Sequence, residues 1–186
     1  MSLEEIADNT RTDKNTVHSY LPLYQTLLIG KKESAKNVLE LGIWNGGSIK
    51  MWNDFFSNAV VHALDIRSAD LVWDEIKNKE RIVLYTGVDA YSPEFVQTNF
   101  VEKNVKMDFL LDDGPHSLTS MISFVKLYLP LMADDGIFII EDVQDIKWIQ
   151  ILENEVPDEM KPFVKWYDLR SVKGRYDDIV FTVDRS

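Results

Sequence analysis

From Asn37 to Ser48 the chain reads Asn-Val-Leu-Glu-Leu-Gly-Ile-Trp-Asn-Gly-Gly-Ser, and no other stretch limits the possible folds so strongly. A short apolar strand runs into a glycine-rich turn, and an amphipathic segment carrying Ile49, Met51, Trp52, Phe55 and Phe56 follows. This is the layout of a strand-to-helix crossover in an α/β sheet. Gly42 allows a sharp turn without a Cβ clash. Gly46 and Gly47 leave room for a ligand to approach the chain, and the next helix would aim its first N–H groups at it. The spacing is E-x-G-x-x-x-G-G, which departs from the G-x-G-x-x-G fingerprint of dinucleotide folds.

After residue 36 strand and helix patterns alternate, the mark of a mostly parallel sheet with helices on both faces. Expected strands are Val38–Leu41, Val60–Asp65, Ile82–Thr86, Met107–Asp112 and Ile137–Glu141, with helices over Ile49–Ser57, Ala69–Asn78, Pro93–Glu102 and Leu118–Leu129. Ser92 before Pro93 and Ser117 before Leu118 are helix caps. Two more strand-like runs, Phe163–Leu169 and Ile179–Val183, are joined by a stretch too short for a crossover helix, so they must be antiparallel. That makes a seven-stranded sheet over residues 37–186. Residues 1–36 stand apart: a polar stretch from Thr10 to His18, then a helix capped by Ser19 with Pro22 in its first turn. This segment reads either as a solvated arm or as a lid over the site.

With 31 acidic against 20 basic residues the net charge is −11, which disfavours a nucleic-acid-gripping surface. Lys31-Lys32 and Lys77-Asn-Lys79 read as solvated loop ends. There is no cysteine, hence no disulfide framework, thiolate metal site or Cys nucleophile. No apolar run approaches the roughly 20 residues of a membrane span, and Met-Ser-Leu-Glu-Glu is no signal peptide. A cytoplasmic protein is expected, with no membrane partner; a homo-oligomer is left open.

The chemistry-bearing residues gather at the expected strand ends, where ligands of open α/β sheets bind. Glu40 and Gly42 open the first turn. Asp65 ends the second strand, placed to accept both ribose hydroxyls of an adenosine, with Ile66 beside the base. Asp89, in Thr86-Gly-Val-Asp-Ala90, follows the third strand and sets its neighbouring backbone near the adenine edge. The fourth strand ends in Asp112-Asp-Gly-Pro-His116 and the fifth in Glu141-Asp142. Neighbouring strands lie about 4.8 Å apart, so these carboxylates would crowd one rim and repel unless a cation joins them. Asp113, Glu141 and Asp142 offer all-oxygen ligands, suited to a hard ion such as Mg²⁺. Side chains alternate along a strand, so Asp112 would face a cofactor while Asp113 faces a substrate. His116, ringed by acidic groups in a loop at the site's mouth, is the candidate general base, with Asp113 beside it. His62 lies inside a strand and His18 is ambiguous.

The acidic opening and looser glycine spacing of Glu40–Gly47 resemble motif I of the class I S-adenosylmethionine (SAM) methyltransferases, and so does the terminal hairpin. That resemblance implies cofactor contacts at Glu40, Gly42, Ile43, Gly47, Ser48, Asp65, Ile66, Asp89, Ala90 and Asp112. Thr12-Asp-Lys14, His18-Ser-Tyr20, Asp112-Asp-Gly-Pro-His116 and Ile140-Glu-Asp142 together resemble the macrocin O-methyltransferase family, which takes in mycinamicin sugar methyltransferases and cephalosporin-hydroxylase-like proteins. Pro115 stands where that family usually has serine. The resemblance implies Mg²⁺ held by Asp113, Glu141 and Asp142, His116 as base, and a sugar hydroxyl of a small molecule as methyl acceptor. A catechol-type metal-dependent O-methyltransferase, a non-catalytic SAM-binding protein and an NAD oxidoreductase are the alternatives.

Overall fold

Residues one apart on a strand face opposite sides of a sheet, and the central strands are apolar in both registers, so both faces must be covered. In the computed structural model, which describes residues 1–186, they are. Val38, Phe109, Leu111, Ile137 and Ile139 pack on one face with residues of the helices that precede and follow the first strand. Leu39, Leu41, Leu110, Phe138 and Ile140 pack on the other with Phe124, Tyr128 and Leu152.

The strands are β1 (Asn37–Leu41), β2 (Val60–Asp65), β3 (Ile82–Thr86), β4 (Met107–Asp112), β5 (Met132–Ile140), β6 (Val164–Asp168) and β7 (Ile179–Asp184). The helices are α1 (Leu3–Ile6), α2 (Leu21–Leu28), α3 (Gly47–Phe55), α4 (Asp74–Lys77), α5 (Pro93–Val96), α6 (Leu118–Tyr128), α7 (Trp148–Glu155) and α8 (Arg170–Lys173). One seven-stranded sheet runs in the order β3-β2-β1-β4-β5-β7-β6. β7 is antiparallel to both β5 and β6, and the other pairs are parallel. The chain winds outward from β1 to β3 and then crosses back to β4 on the other side of β1. That reversal opens a crevice at the C-terminal ends of β1 and β4.

Several local expectations meet competing physics. The helix expected over 69–78 is a 3₁₀ turn at Ala69–Leu71 followed by the short α4, because only Val72 and Ile76 are buried there and so narrow a stripe holds no longer helix. The helix starting at Pro93 is capped by Ser92 but passes into a π turn over Gln97–Val101. The wider turn brings Phe95 and Phe100 together, their rings 6.1 Å apart and near perpendicular. Ser117 caps α6 as expected. Ser19 does not cap α2: with Ser19 in that position, Pro22 would be the third helical residue and has no N–H to donate. Lys31 is buried and paired with Asp135 at 2.5 Å, not solvated. α7 is not among the expected elements, though its Ile149 and Leu152, with Val156 just past its end, form a buried stripe. No helix is long and apolar enough to cross a membrane.

The first 36 residues are not a solvated arm. Leu3, Tyr20, Leu21, Tyr24 and Leu28 join the core on the α3 face, and Thr12, Lys14 and His18 of the polar stretch are buried as well.

Candidate active site

The glycines of the first turn serve the chain's own packing. At Gly42, φ is +94°, and a Cβ there would lie 2.1 Å from the Asp113 carbonyl oxygen. The turn after β1 therefore fits directly against the turn after β4. At Gly47 a Cβ would meet the Arg11 backbone at 2.4 Å, so the N-terminal segment crosses the start of α3 in the space where a ligand was expected. Asp65 locks the same turn: its Oδ2 accepts from the N–H groups of Ile43 at 2.9 Å and Trp44 at 3.1 Å, and its Oδ1 from Arg67 N–H at 2.8 Å.

A cavity of about 770 Å³ opens at this edge of the sheet. Its lining takes in Gly42, Asp65, Ile66, Asp89 and Ala90, the Asp113, His116 and Asp142 group, and Asp13, His18, Arg175 and Asp177. Its size lies within the range of small-molecule sites. Of the residues expected at a cofactor, Glu40, Ile43, Gly47, Ser48 and Asp112 do not line it. Glu40 is fully buried behind the turn, where it accepts from Ser48 Oγ at 2.8 Å and from the Trp52 indole N–H. Burial pushes its carboxyl up to about 7. Asp112 accepts from the Tyr91 hydroxyl at 2.6 Å and from Gly114 N–H at 3.1 Å, and burial raises it to about 6. Trp44 forms part of the cavity rim, whereas Tyr20 and Tyr24 lie wholly inside the protein and Trp148 packs on the opposite core layer.

At the junction of β4 and β5 the ionisable groups interlock. His116 Nε2 lies 3.1 Å from Asp113 Oδ1 and 3.2 Å from Asp142 Oδ2. Burial works against the imidazolium, but the hydrogen bond to Asp113 and the charge of Asp142 outweigh it and raise the His116 pKa. For Asp113 burial is likewise overcome, by the Lys14 ammonium and by His116, and its carboxyl is held at about 2. Asp142 and Glu141 are both raised, by burial first and then by the Asp113 charge. The Tyr20 hydroxyl donates to Asp142 and the Tyr24 hydroxyl to Glu141. His18 Nδ1 sits 2.6 Å from Asp178 Oδ1 and 3.3 Å from Asp142 Oδ1.

Two groups of side chains converge closely enough to share an ion, Asp113–His116–Asp142 and His18–Asp177–Asp178; of the expected ligands Asp113 and Asp142 are in the first and Glu141 is in neither. Glu141 points instead to Lys14 and Tyr24. The donor chemistry of Asp113 and Asp142, two carboxylates meeting at one edge of the cavity, fits a hard divalent cation. Backbone strain collects at the same place. Four non-glycine residues have positive φ, and three of them, Trp44 (+43°), His116 (+53°) and Asp142 (+55°), line the cavity. Such conformations cost energy and cluster at functional sites.

Lys14 and the His18–Asp178 pair are additions that sequence reasoning did not place. The only signal was the Thr12-Asp-Lys14 and His18-Ser-Tyr20 pattern, which marked a resemblance without assigning a role.

No family model matches the chain. Among curated proteins it is 27% identical to mycinamicin VI 2''-O-methyltransferase of Micromonospora griseorubida over 154 residues, 78% of this chain and 37% of that one. Demethylmacrocin O-methyltransferase of Streptomyces fradiae is 26% identical over the same length, again 78% and 37%. Among solved structures, the MycE methyltransferase of the mycinamycin biosynthetic pathway, in complex with Mg, SAH and mycinamycin VI, superimposes with a TM-score of 0.76 at 18% identity. That match covers 99% of this chain and 54% of MycE. The fibrillarin pre-rRNA processing protein of Methanococcus jannaschii follows with a TM-score of 0.61 at 17% identity, over 83% of this chain and 68% of that one.

The fold is the Rossmann-like class I methyltransferase fold. The chain spans a little over a third of the curated sugar O-methyltransferases it matches and about half of MycE.

Proposed function

We propose that this methyltransferase-fold chain moves the methyl group of SAM to a hydroxyl of a sugar or glycosylated small molecule, with Mg²⁺ required. The observation that carries the reading is the single cavity that joins Asp65, Ile66, Asp89 and Ala90 to Asp113, His116 and Asp142. A nucleoside side and an acid–base side thus share one space. Sugar O-methyltransferases dominate the curated relatives, and MycE was solved with both Mg and SAH, the demethylated product of SAM. The acidic surface argues against an RNA acceptor of the kind the fibrillarin likeness would suggest.

In this reading the adenosine lies over Gly42, its ribose against Asp65 and its base beside Ile66 and the Asp89–Ala90 backbone. Asp65 is already oriented by three backbone N–H groups, so it meets the ribose without reorganising. A divalent ion at Asp113 and Asp142 would supply positive charge that favours ionisation of the acceptor hydroxyl. His116, whose Nε2 is engaged by the two carboxylates, has Nδ1 left to take the acceptor proton. Methyl transfer itself needs the oxygen held in line with the sulfonium methyl, and the walls formed by Trp44 and the Gly114–His116 loop would restrict that approach.

A catechol-type acceptor would use the same groups. The sugar is the favoured acceptor in this reading, since Asp13, His18, Arg175 and Asp177 add hydrogen-bonding groups to a lining that also holds Trp44 and Tyr91. The test is a screen of glycosides, sugar nucleotides and catechols with labelled SAM, with and without Mg²⁺. Methylation of a sugar hydroxyl, lost with EDTA and restored by Mg²⁺, is expected. Full activity after EDTA treatment would leave the carboxylates structural, and preferred turnover of a catechol would replace the acceptor class.

A further inference from the structure

His18 ends the polar N-terminal stretch, 160 residues from the Asp178 it meets at the start of β7. A lone buried imidazole is ordinarily core packing, but this one is held on three sides. Its Nδ1 lies 2.6 Å from Oδ1 of Asp178, a carboxylate with no exposed surface. Its ring stacks on Tyr20, the centroids 5.0 Å apart and the planes at 15°. Lys173 of α8 donates to the His18 carbonyl oxygen at 2.8 Å and also to that of Asn15, which ties the backbone to the hairpin. Asp178 serves no other side chain: its Oδ2 is buried without a partner. A carboxylate kept in so costly a place for one imidazole points to a task for that imidazole.

The other ring nitrogen is left open. Nε2 makes no hydrogen bond within the protein and is not sealed from solvent, with Asp13 Oδ2 4.0 Å away. His18 lines the cavity together with Asp13 and Asp177. A carboxylate that receives Nδ1–H while Nε2 faces a substrate space is the arrangement by which enzymes orient an imidazole. Asp142 Oδ1, at 3.3 Å, is the more distant partner of Nδ1, so an ion drawn to Asp142 leaves the Asp178 contact in place.

We propose that His18, oriented by Asp178, binds the acceptor: Nε2 hydrogen-bonds a second oxygen of the sugar, distinct from the hydroxyl that receives the methyl group. The inference rests on the sugar-acceptor reading above and deepens it, leaving His116 as the base and the ion ligands as they stand. An acceptor anchored at one hydroxyl can swing about that point. A second anchor at His18 holds the reacting oxygen in line with the methyl group, and an acceptor lacking that second oxygen is turned over poorly.

The experiment is nitrogen NMR of the full chain carrying isotope-labelled histidine, saturated with SAH and Mg²⁺, before and after addition of excess methyl glucopyranoside or methyl mannopyranoside. With only three histidines in the chain, each resonance can be assigned. A proton on His18 Nδ1 and a sugar-dependent shift at His18 Nε2 are expected. An unprotonated Nδ1, as an ion bound there would give, overturns the proposal. A shift at His116 without one at His18 sinks it alone; no shift at either removes the sugar reading with it. On the glycoside that the acceptor screen identifies, His18→Phe keeps a ring against Tyr20 and loses Nε2. It should raise acceptor KM about tenfold, the loss of one hydrogen bond, with kcat within about threefold and SAH affinity unchanged. The double variant His18→Phe/Asp178→Asn, which leaves no buried carboxylate unpaired, should be no worse than His18→Phe, because the two residues act as one unit. An unchanged KM, or a loss confined to kcat, contradicts the assignment. Failure of the SAM reading would appear separately, as absence of SAH binding in the parent.

Discussion

The aromatic layer beneath β1 and β4 and the ionisable rim at the ends of the same strands are neighbours built by opposite rules. Phe109 and Asp113 are four positions apart. Phe109 is fully buried, with the Trp52 ring edge-on at 5.2 Å and Phe56 at 6.0 Å, and its contribution is apolar area and close packing. At the rim, burial raises Glu40, Asp112, Glu141 and Asp142, so each of these four opposes folding when ionised, while Asp113, held low by Lys14 and His116, does not. The lesson is that one sheet can spend the stability of its centre on holding costly charges at its edge. Substitutions in the first region should cost stability, and those in the second should cost function.

The largest expected effect is at the rim. His116→Ala should slow the chemical step by roughly two to four orders of magnitude, because the only imidazole facing both Asp113 and Asp142 across the cavity edge would be gone. SAH affinity should hardly move. The hydrogen bond to Asp113 and the charge of Asp142 raise the His116 pKa, so the ascending limb of the parent pH–rate profile should move toward higher pH, since a base must be neutral to act; an ion at Asp113 and Asp142 would pull the limb back down. Single-turnover rates across pH check both statements, and a variant with parent-like rate and profile would remove His116 from the chemistry.

In the aromatic layer, Phe109→Ala should cost about 3–5 kcal/mol of unfolding free energy by leaving a cavity among Trp52, Phe56 and β1. Denaturant titration measures it. A cost under about 1 kcal/mol would mean this layer repacks freely and is not the stabilising counterpart of the rim.

Much of this division was legible in sequence. Apolar runs and alternation located all seven strands: the central strands, buried on both faces, are apolar throughout, and the edge strands β3 and β6 are short runs rich in β-branched and aromatic residues. Acidic residues at strand ends pointed to the edge of the sheet where the cavity opens. What could not be read was which charges meet. Lys14 and Asp113 are 99 residues apart, and His18 and Asp178 are 160 apart. Their pairing depends on the N-terminal segment docking under the hairpin, which leaves no periodic trace. Gly47 misled for a similar reason: its missing Cβ makes room for the Arg11 backbone, chain atoms that sequence does not show nearby.

A histidine in the dry region gives a smaller and sharper contrast with His116. His62 is buried on β2, stacked near Tyr85 and edge-on to Phe100, and burial lowers its pKa to about 4. Unfolded histidine titrates near 6.5, so between these values the unfolded chain binds the extra proton. His62 thus favours the native state above pH about 6.5, and that contribution disappears as pH falls toward 4. The loss should total about 3–4 kcal/mol, on the basis of 1.36 kcal/mol per pKa unit. Unfolding of the parent and of His62→Leu at pH 7 and pH 4.5 isolates it: the parent's stability should fall more steeply. Parallel losses in the two proteins would show that His62 is not held neutral.

The central claim is that the crevice at the ends of β1, β2 and β4 is a SAM site. Calorimetric titration of the chain with SAH, with NAD⁺ as the competitor and Asp65→Ala as the control, tests it most directly. Micromolar-range binding of SAH, weakened by Asp65→Ala and unaffected by EDTA, is the result this account predicts. Tighter binding of NAD⁺ than of SAH, or SAH binding indifferent to Asp65, would contradict it.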